Sequence, residues 1–104
     1  MSTETIGEQL RQLREQKGLP LRKVAPMIDT DVAILSKMER GERKFTKEII
    51  VQLAKIYEHD EDDLLVTFLS DKILDGLQDE KLGTKALKVA EQKMRYKNKV
   101  NGKK

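Results

Sequence analysis

The sequence predicts an all-α fold, and three observations point there. Apolar residues recur at helical spacing along most of the chain, 38% of the 104 residues are charged, and turn chemistry punctuates the periodic stretches. With two Phe, two Tyr and no Trp, the core must be built mainly from Leu, Ile, Val, Ala and Met. That palette suits packed helices better than a sandwich of sheets. The length is about that of one domain, with room for a tail or an added helix.

Thr5 and Glu8 have the spacing of a capping box. Ile6, Leu10 and Leu13 then share one face until Gly18 supplies a stop, so a first helix is expected from Ile6 to Lys17. Pro20 opens a second, short helix marked by Leu21, Val24, Ala25 and Ile28. Pro26 falls inside it, where a proline removes a backbone hydrogen bond at a cost of about 3 kcal/mol, so a kink or early termination is expected. Asp29-Thr30-Asp31 is a polar break in which Thr30 or Asp31 can cap a third helix, with Leu35 and Met38 inward and Gly41 at its end. Glu42 to Phe45 reads as a charged loop. Thr46 then caps a fourth helix carrying Ile49, Ile50, Leu53, Ala54 and Tyr57. Asp60 and Asp63 suit the start of a fifth, whose stripe runs through Leu64, Leu65, Phe68, Leu69, Ile73 and Leu77. A further amphipathic segment carries Leu82, Ala86, Leu87, Ala90 and Met94. The basic end from Lys97 to Lys104 has no periodic apolar face and is expected to be mobile.

Charge and composition exclude several functions. The absence of Cys rules out disulfides and thiolate metal sites, and the lone His59, expected to be exposed, leaves no zinc-ligand spacing. With no Gly-rich phosphate cradle, no Cys nucleophile, one His, and acids that read as helix caps or solvated surface, neither an enzyme nor a cofactor is expected. No apolar run approaches a membrane span and Met1 to Glu4 lacks the features of a signal peptide, so the expectation is a cytoplasmic protein without a membrane partner. The net charge of +3 is unevenly spread. Basic residues outnumber acidic ones between Arg11 and Lys47, Glu58 to Glu80 has Lys72 as its only Lys or Arg, and Lys93 to Lys104 has no acid.

Two short helices joined by a tight turn match the geometry that places a recognition helix in the DNA major groove. The residues add to the pattern. Ile6-Gly7-Glu8-Gln9-Leu10-Arg11-Gln12-Leu13-Arg14 with Gly18-Leu19, and Leu35-Ser36-Lys37-Met38-Glu39-Arg40-Gly41-Glu42-Arg43, resemble the helix-turn-helix family of phage repressors and bacterial xenobiotic-response-element-type transcriptional regulators. The resemblance covers Ile6 to Leu65, with Leu53-Ala54 and Asp63-Leu64-Leu65 at the family's spacing. It implies a five-helix repressor-like domain over residues 5–66, followed by a helical extension over 67–96 and the basic tail over 97–104.

The same resemblance makes the third helix, Asp31 to Arg40, the recognition helix, with Val32, Ala33, Ser36 and Lys37 at base edges. Val32 and Ala33 can meet thymine methyl groups and Lys37 can donate to guanine O6 and N7, so T and G are expected there. Val32 or Ile34 packing on a neighbouring surface, and Lys37 on a phosphate, are the alternatives. Arg40, Arg43, Lys44 and Lys47 fall where the family grips the backbone, or else form a solvated loop. Arg14 and Glu39 match a structural ion pair tying the first helix to the end of the recognition helix. Leu21 stands where many members have a phosphate-contacting Gln, a contact that is either lost or replaced by Arg22 or Lys23. Asp29 stands where Gly is usual in the turn, and an acid there weakens backbone binding.

Phe68, Leu69, Ile73 and Leu77, with Leu82, Leu87, Ala90 and Met94, offer more apolar surface than a five-helix core needs. Either it forms a homodimer reading an inverted repeat of double-stranded DNA, or the extra helices fold back on the same chain. The basic tail either adds non-specific DNA affinity or only solubilises. The expected function is a DNA-binding regulator, a repressor or autoregulator without a small-molecule ligand. A protein-interaction module with a Leu21, Val32, Ala33 and Ile34 docking face, or an antitoxin, is the alternative on the same fold.

Overall fold

A computed structural model describes residues 3–101, with the backbone alone at Asn101. Among these every regular element is helical: α1 (Ile6–Gln16), α2 (Leu21–Val24) continued by a 3₁₀ turn (Ala25–Ile28), α3 (Val32–Glu39), α4 (Lys47–Ile56), α5 (Glu61–Leu77) and α6 (Gly83–Asn101). They fall into two compact units, and the division of the chain lies within α5, between Lys72 and Ile73.

The starts of three helices follow from side chains that satisfy their orphan amides. Thr5 Oγ1 accepts from the Glu8 amide, and Glu8 accepts in return from Thr5. Asp31 accepts from the Ile34 amide at 2.9 Å and Thr46 from the Ile49 amide at 3.2 Å. At the α1 N-terminus the Asp71 carboxylate also accepts from the Ile6 amide at 2.8 Å, so α5 caps α1 across 65 residues of sequence.

The helix ends share one device. After α1, Leu19 N–H donates to Arg14 O and Gly18 N–H to Glu15 O, with Gly18 left-handed at φ 67°. After α3, Gly41 takes the same place at φ 81°. Asp29 and Glu58 adopt it too, at φ 57° and 54°, closing the 3₁₀ turn and α4. The second helix is cut to one turn because Pro26 cannot donate, and the chain tightens into the 3₁₀ form instead of continuing.

The core of the first unit includes Leu10, Val24, Leu35, Ile50, Leu53, Tyr57 and Leu64, all essentially inaccessible. A buried aliphatic side chain contributes about 1.5–3 kcal/mol, so these few positions hold the helices together. Phe45 and Phe68 also lie in this core, at 6% exposure each. Phe68 is therefore not a free dimerisation residue: its ring closes the five-helix core, with the Lys72 ammonium 4.9 Å from its centroid. Phe45 is the buried anchor of what the sequence reads as a charged loop.

The second unit comprises the end of α5 and α6. Between them Asp79 is left-handed, and Gly83 lies with its Cβ position 3.3 Å from the Leu77 carbonyl oxygen. Helix α6 runs through Lys97 to Asn101, where the sequence suggests a mobile tail; the rest of that tail, 102–104, lies outside the described residues. No described helix is long and apolar enough to cross a membrane.

Candidate nucleic-acid interface

Helix α3 divides its residues between two faces. Leu35, Met38 and Glu39 point into the protein, while Val32, Ala33, Lys37 and Arg40 are exposed and Ser36 is half-buried between them. Positions 32, 33, 36, 37 and 40 repeat at helical spacing and so form one stripe. The turn that presents this stripe is Asp29-Thr30-Asp31, with left-handed Asp29 ending one helix and the Asp31 carboxylate starting the next.

The back of α3 is fixed by charge as well as by packing. Arg14 Nε donates to Glu39 Oε2 at 2.8 Å and Nη2 to Oε1 at 3.0 Å, a bidentate fork, while Nη1 donates to the Leu19 carbonyl at 2.9 Å. Both side chains are buried. One guanidinium thus ties α1, the loop after it and the C-terminal end of α3. The hydrogen bond to Glu39 raises the Arg14 pKa further above its ordinary value, against the opposing effect of burial. The buried Tyr57 phenol is pushed up mainly by desolvation, with the Glu39 charge adding to it. Its hydroxyl has no hydrogen-bond partner among the described residues.

Gly7 permits this arrangement. A Cβ there would lie 2.5 Å from the Glu39 carbonyl oxygen and 2.8 Å from that of Met38, so α1 meets the last turn of α3 backbone to backbone. Sequence reasoning left this glycine without a role; its place inside a helix, where glycine is unfavourable, was the available signal.

Around the stripe lie the cations. Arg22 and Lys23 are exposed on α2, Arg43 and Lys44 on the loop after α3, and Lys47 at the first residue of α4. None of these, nor Lys37, is in an ion pair among the described residues. Arg40 differs. Its Nε and Nη2 donate to Glu42 at 3.0 and 3.3 Å, and its Nη1 donates to Ser36 Oγ. The bond to Glu42 raises Arg40 and lowers Glu42 from their ordinary pKa values. A phosphate contact by Arg40, or a base contact by Ser36, must therefore compete with bonds already made. The sequence showed Glu42 two residues away but not that the chain reversal at Gly41 folds it onto Arg40.

Leu21 and Ile34 pack against the core. His59, expected to be exposed, is half-buried and hydrogen-bonds Asp63 at 2.8 Å. Among the described residues no group of His, Asp and Glu is placed to hold a metal ion.

Two short helical segments, a left-handed turn and a helix with one polar face turned outward make this an all-helical helix-turn-helix protein. The chain belongs to the helix-turn-helix domain family, whose model matches residues 5–65. No curated protein and no solved structure matches it.

Proposed function

We propose that the chain is a sequence-specific regulator of transcription that inserts α3 into the DNA major groove and reads an inverted-repeat operator as a homodimer. The observation that carries this is the α3 stripe: Val32, Ala33 and Lys37 are exposed together, flanked by the cations Arg22, Lys23, Arg43, Lys44 and Lys47, none of them ion-paired among the described residues. Val32 and Ala33 meet thymine methyl groups, Lys37 donates to guanine, and the flanking cations set register on the phosphates without specifying sequence. The likeness of Ile6 to Leu65 to phage repressors and xenobiotic-response-element-type regulators supports repression or autoregulation.

Dimerisation rests on apolar side chains left exposed: Leu69 and Ile73 are about half accessible, Leu87 about a third and Met94 about two thirds, with Leu77 half-buried. A two-fold axis repeats α3 in the partner, and dimers of helix-turn-helix proteins read half-sites about one helical turn apart. The rival protein-docking surface is weakened, because Leu21 and Ile34 are spent on the core and only Val32 and Ala33 remain of its four residues.

The test is selection of bound duplexes from a randomised library, with the parent and a Lys37→Ala, Arg43→Ala variant side by side. Enrichment of an inverted repeat by the parent, lost in the variant, is expected. Weak enrichment unchanged by the substitutions would remove α3 as the reading helix.

A further inference from the structure

The charge of the chain is divided in a way a DNA reader must overcome. Residues 1–80 contain twelve Lys and Arg against seventeen Asp and Glu, a net charge of −5; the helix-turn-helix domain within them, residues 5–65, has eleven against twelve, so it is near neutral and carries no net attraction of its own. Residues 81–104 contain nine Lys and Arg and one acid, Glu91, a net charge of +8. Within the acidic part several cations are already neutralised at short range: Arg14 by Glu39, Lys17 by Glu58, Arg40 by Glu42 and Arg11 by Glu15. Approach of residues 1–80 alone to a polyanion is opposed at long range, whatever α3 does in contact.

Helix α6 and the residue pair before it carry the missing charge in an ordered form. Lys81, Lys85, Lys88, Arg95 and Lys99, with Gln92 completing the series, are spaced alternately by four and three residues. On a helix that spacing is a straight stripe, and within α6, from Lys85 to Lys99, it extends roughly 21 Å. All five cations are exposed, and none is in an ion pair among the described residues. Four of the six cations of α6 fall on this line, while Lys93 and Lys97, with the apolar Val89, Met94 and Val100, lie off it.

We infer that the α6 stripe is a second DNA-contact surface, which holds the phosphate backbone and supplies the net attraction that residues 1–80 lack. The inference rests on the proposed DNA-reading function and assigns its electrostatic part to a different helix. Lysine and arginine at this spacing suit a row of phosphates, contacts that position a protein on the duplex without specifying sequence. An acidic protein surface would also attract such a stripe, and the experiment separates the two.

The variant is Lys85→Gln, Lys88→Gln, Arg95→Gln and Lys99→Gln in the full chain, since glutamine is a good helix former and these side chains leave the core untouched. Fluorescence anisotropy against the selected operator and an unrelated duplex, over a range of salt, is run on parent, stripe variant and Lys37→Ala. The expected result is a loss of at least about tenfold in affinity for both duplexes at low salt. The slope of log affinity against log salt should flatten by about 0.9 for each phosphate released, with the operator preference kept. Unchanged affinity and slope in the stripe variant, with the parent still selecting its operator, would overturn the stripe and leave the α3 assignment standing. A parent that binds neither duplex would overturn both. A change of oligomeric state in the stripe variant by analytical ultracentrifugation, with DNA affinity per dimer unchanged, would give the stripe to a protein surface and overturn the inference.

Discussion

Replacing Gly7 by alanine should destabilise the protein, against the ordinary preference of helices for alanine. In an exposed helix the exchange would gain about 0.5–1 kcal/mol. Here the new methyl would meet two backbone carbonyl oxygens at 2.5 and 2.8 Å, where ordinary contact begins near 3.4 Å. Backbone cannot swing aside as a side chain can, so α1 must move off α3 by about 1 Å. Overpacking of this kind costs about 1–3 kcal/mol. The same displacement loosens the Arg14–Glu39 fork, which lies two turns further along α1 and depends on bonds of 2.8 and 3.0 Å. A net loss of about 1–3 kcal/mol should lower the melting temperature by about 4–8 °C per kcal/mol in a domain of this size. Gly76→Ala is the control: that glycine is helical and a Cβ on it meets nothing within 4 Å, so the substitution should stabilise. Thermal unfolding by circular dichroism reads both. A Gly7→Ala protein melting at or above the parent would refute the close approach of α1 to α3.

Other outcomes follow from the same contacts. Glu39→Gln should cost about 3–5 kcal/mol, because it leaves the buried Arg14 charge short of its partner, and urea unfolding measures it. Tyr57→Phe should leave stability unchanged or raise it, since it removes a buried hydroxyl that bonds no described residue; a loss above about 1 kcal/mol in the same assay would show that the hydroxyl has a partner. Asp63, Glu58 and Glu42 are held below the usual carboxylate range by His59 and Gln9, Lys17 and Arg40 respectively. The unfolded chain then binds more protons than the folded one between the depressed values and about pH 4. Stability should be level above about pH 5 and fall as pH drops through that window, by little, because all three groups are exposed. A melting temperature that rises on acidification would contradict the pairing.

What the sequence made legible was chemistry acting over one or two turns. The Thr5–Glu8 box, the Thr46 cap, and Gly18 and Gly41 at helix ends each satisfy backbone groups a few residues away, so their spacing declares them, while for the third helix the sequence offered Thr30 or Asp31 and the structure chose Asp31. Pro26 announced the shortening of the second helix by the same local logic. Contacts between distant segments were hidden. Phe68 sits in a continuous apolar stripe that periodicity cannot divide into core and surface, and only packing shows that Phe68 turns inward while Leu69 remains half exposed. Phe45 lies among charges, and its burial depends on helices that meet only in the fold. In the candidate interface, the pairing of Arg40 with Glu42 required the chain reversal at Gly41. The net acidity of residues 1–80 and a helical extension over 67–96 were readable from the start; what the sequence did not show is that the helix continues through Lys97 and Lys99 to Asn101.

The central claim is that the exposed stripe of α3 reads bases, and base-by-base substitution of the selected operator tests it most directly. Binding is measured for parent, Lys37→Ala and Arg43→Ala. The parent should lose about 1–3 kcal/mol when one particular guanine in each half-site is exchanged. Lys37→Ala should lose discrimination at that base pair alone, and Arg43→Ala should bind every duplex more weakly with its preferences intact. If Lys37→Ala keeps the parent's pattern of preference at every position, Lys37 reads no base and the recognition-helix assignment falls.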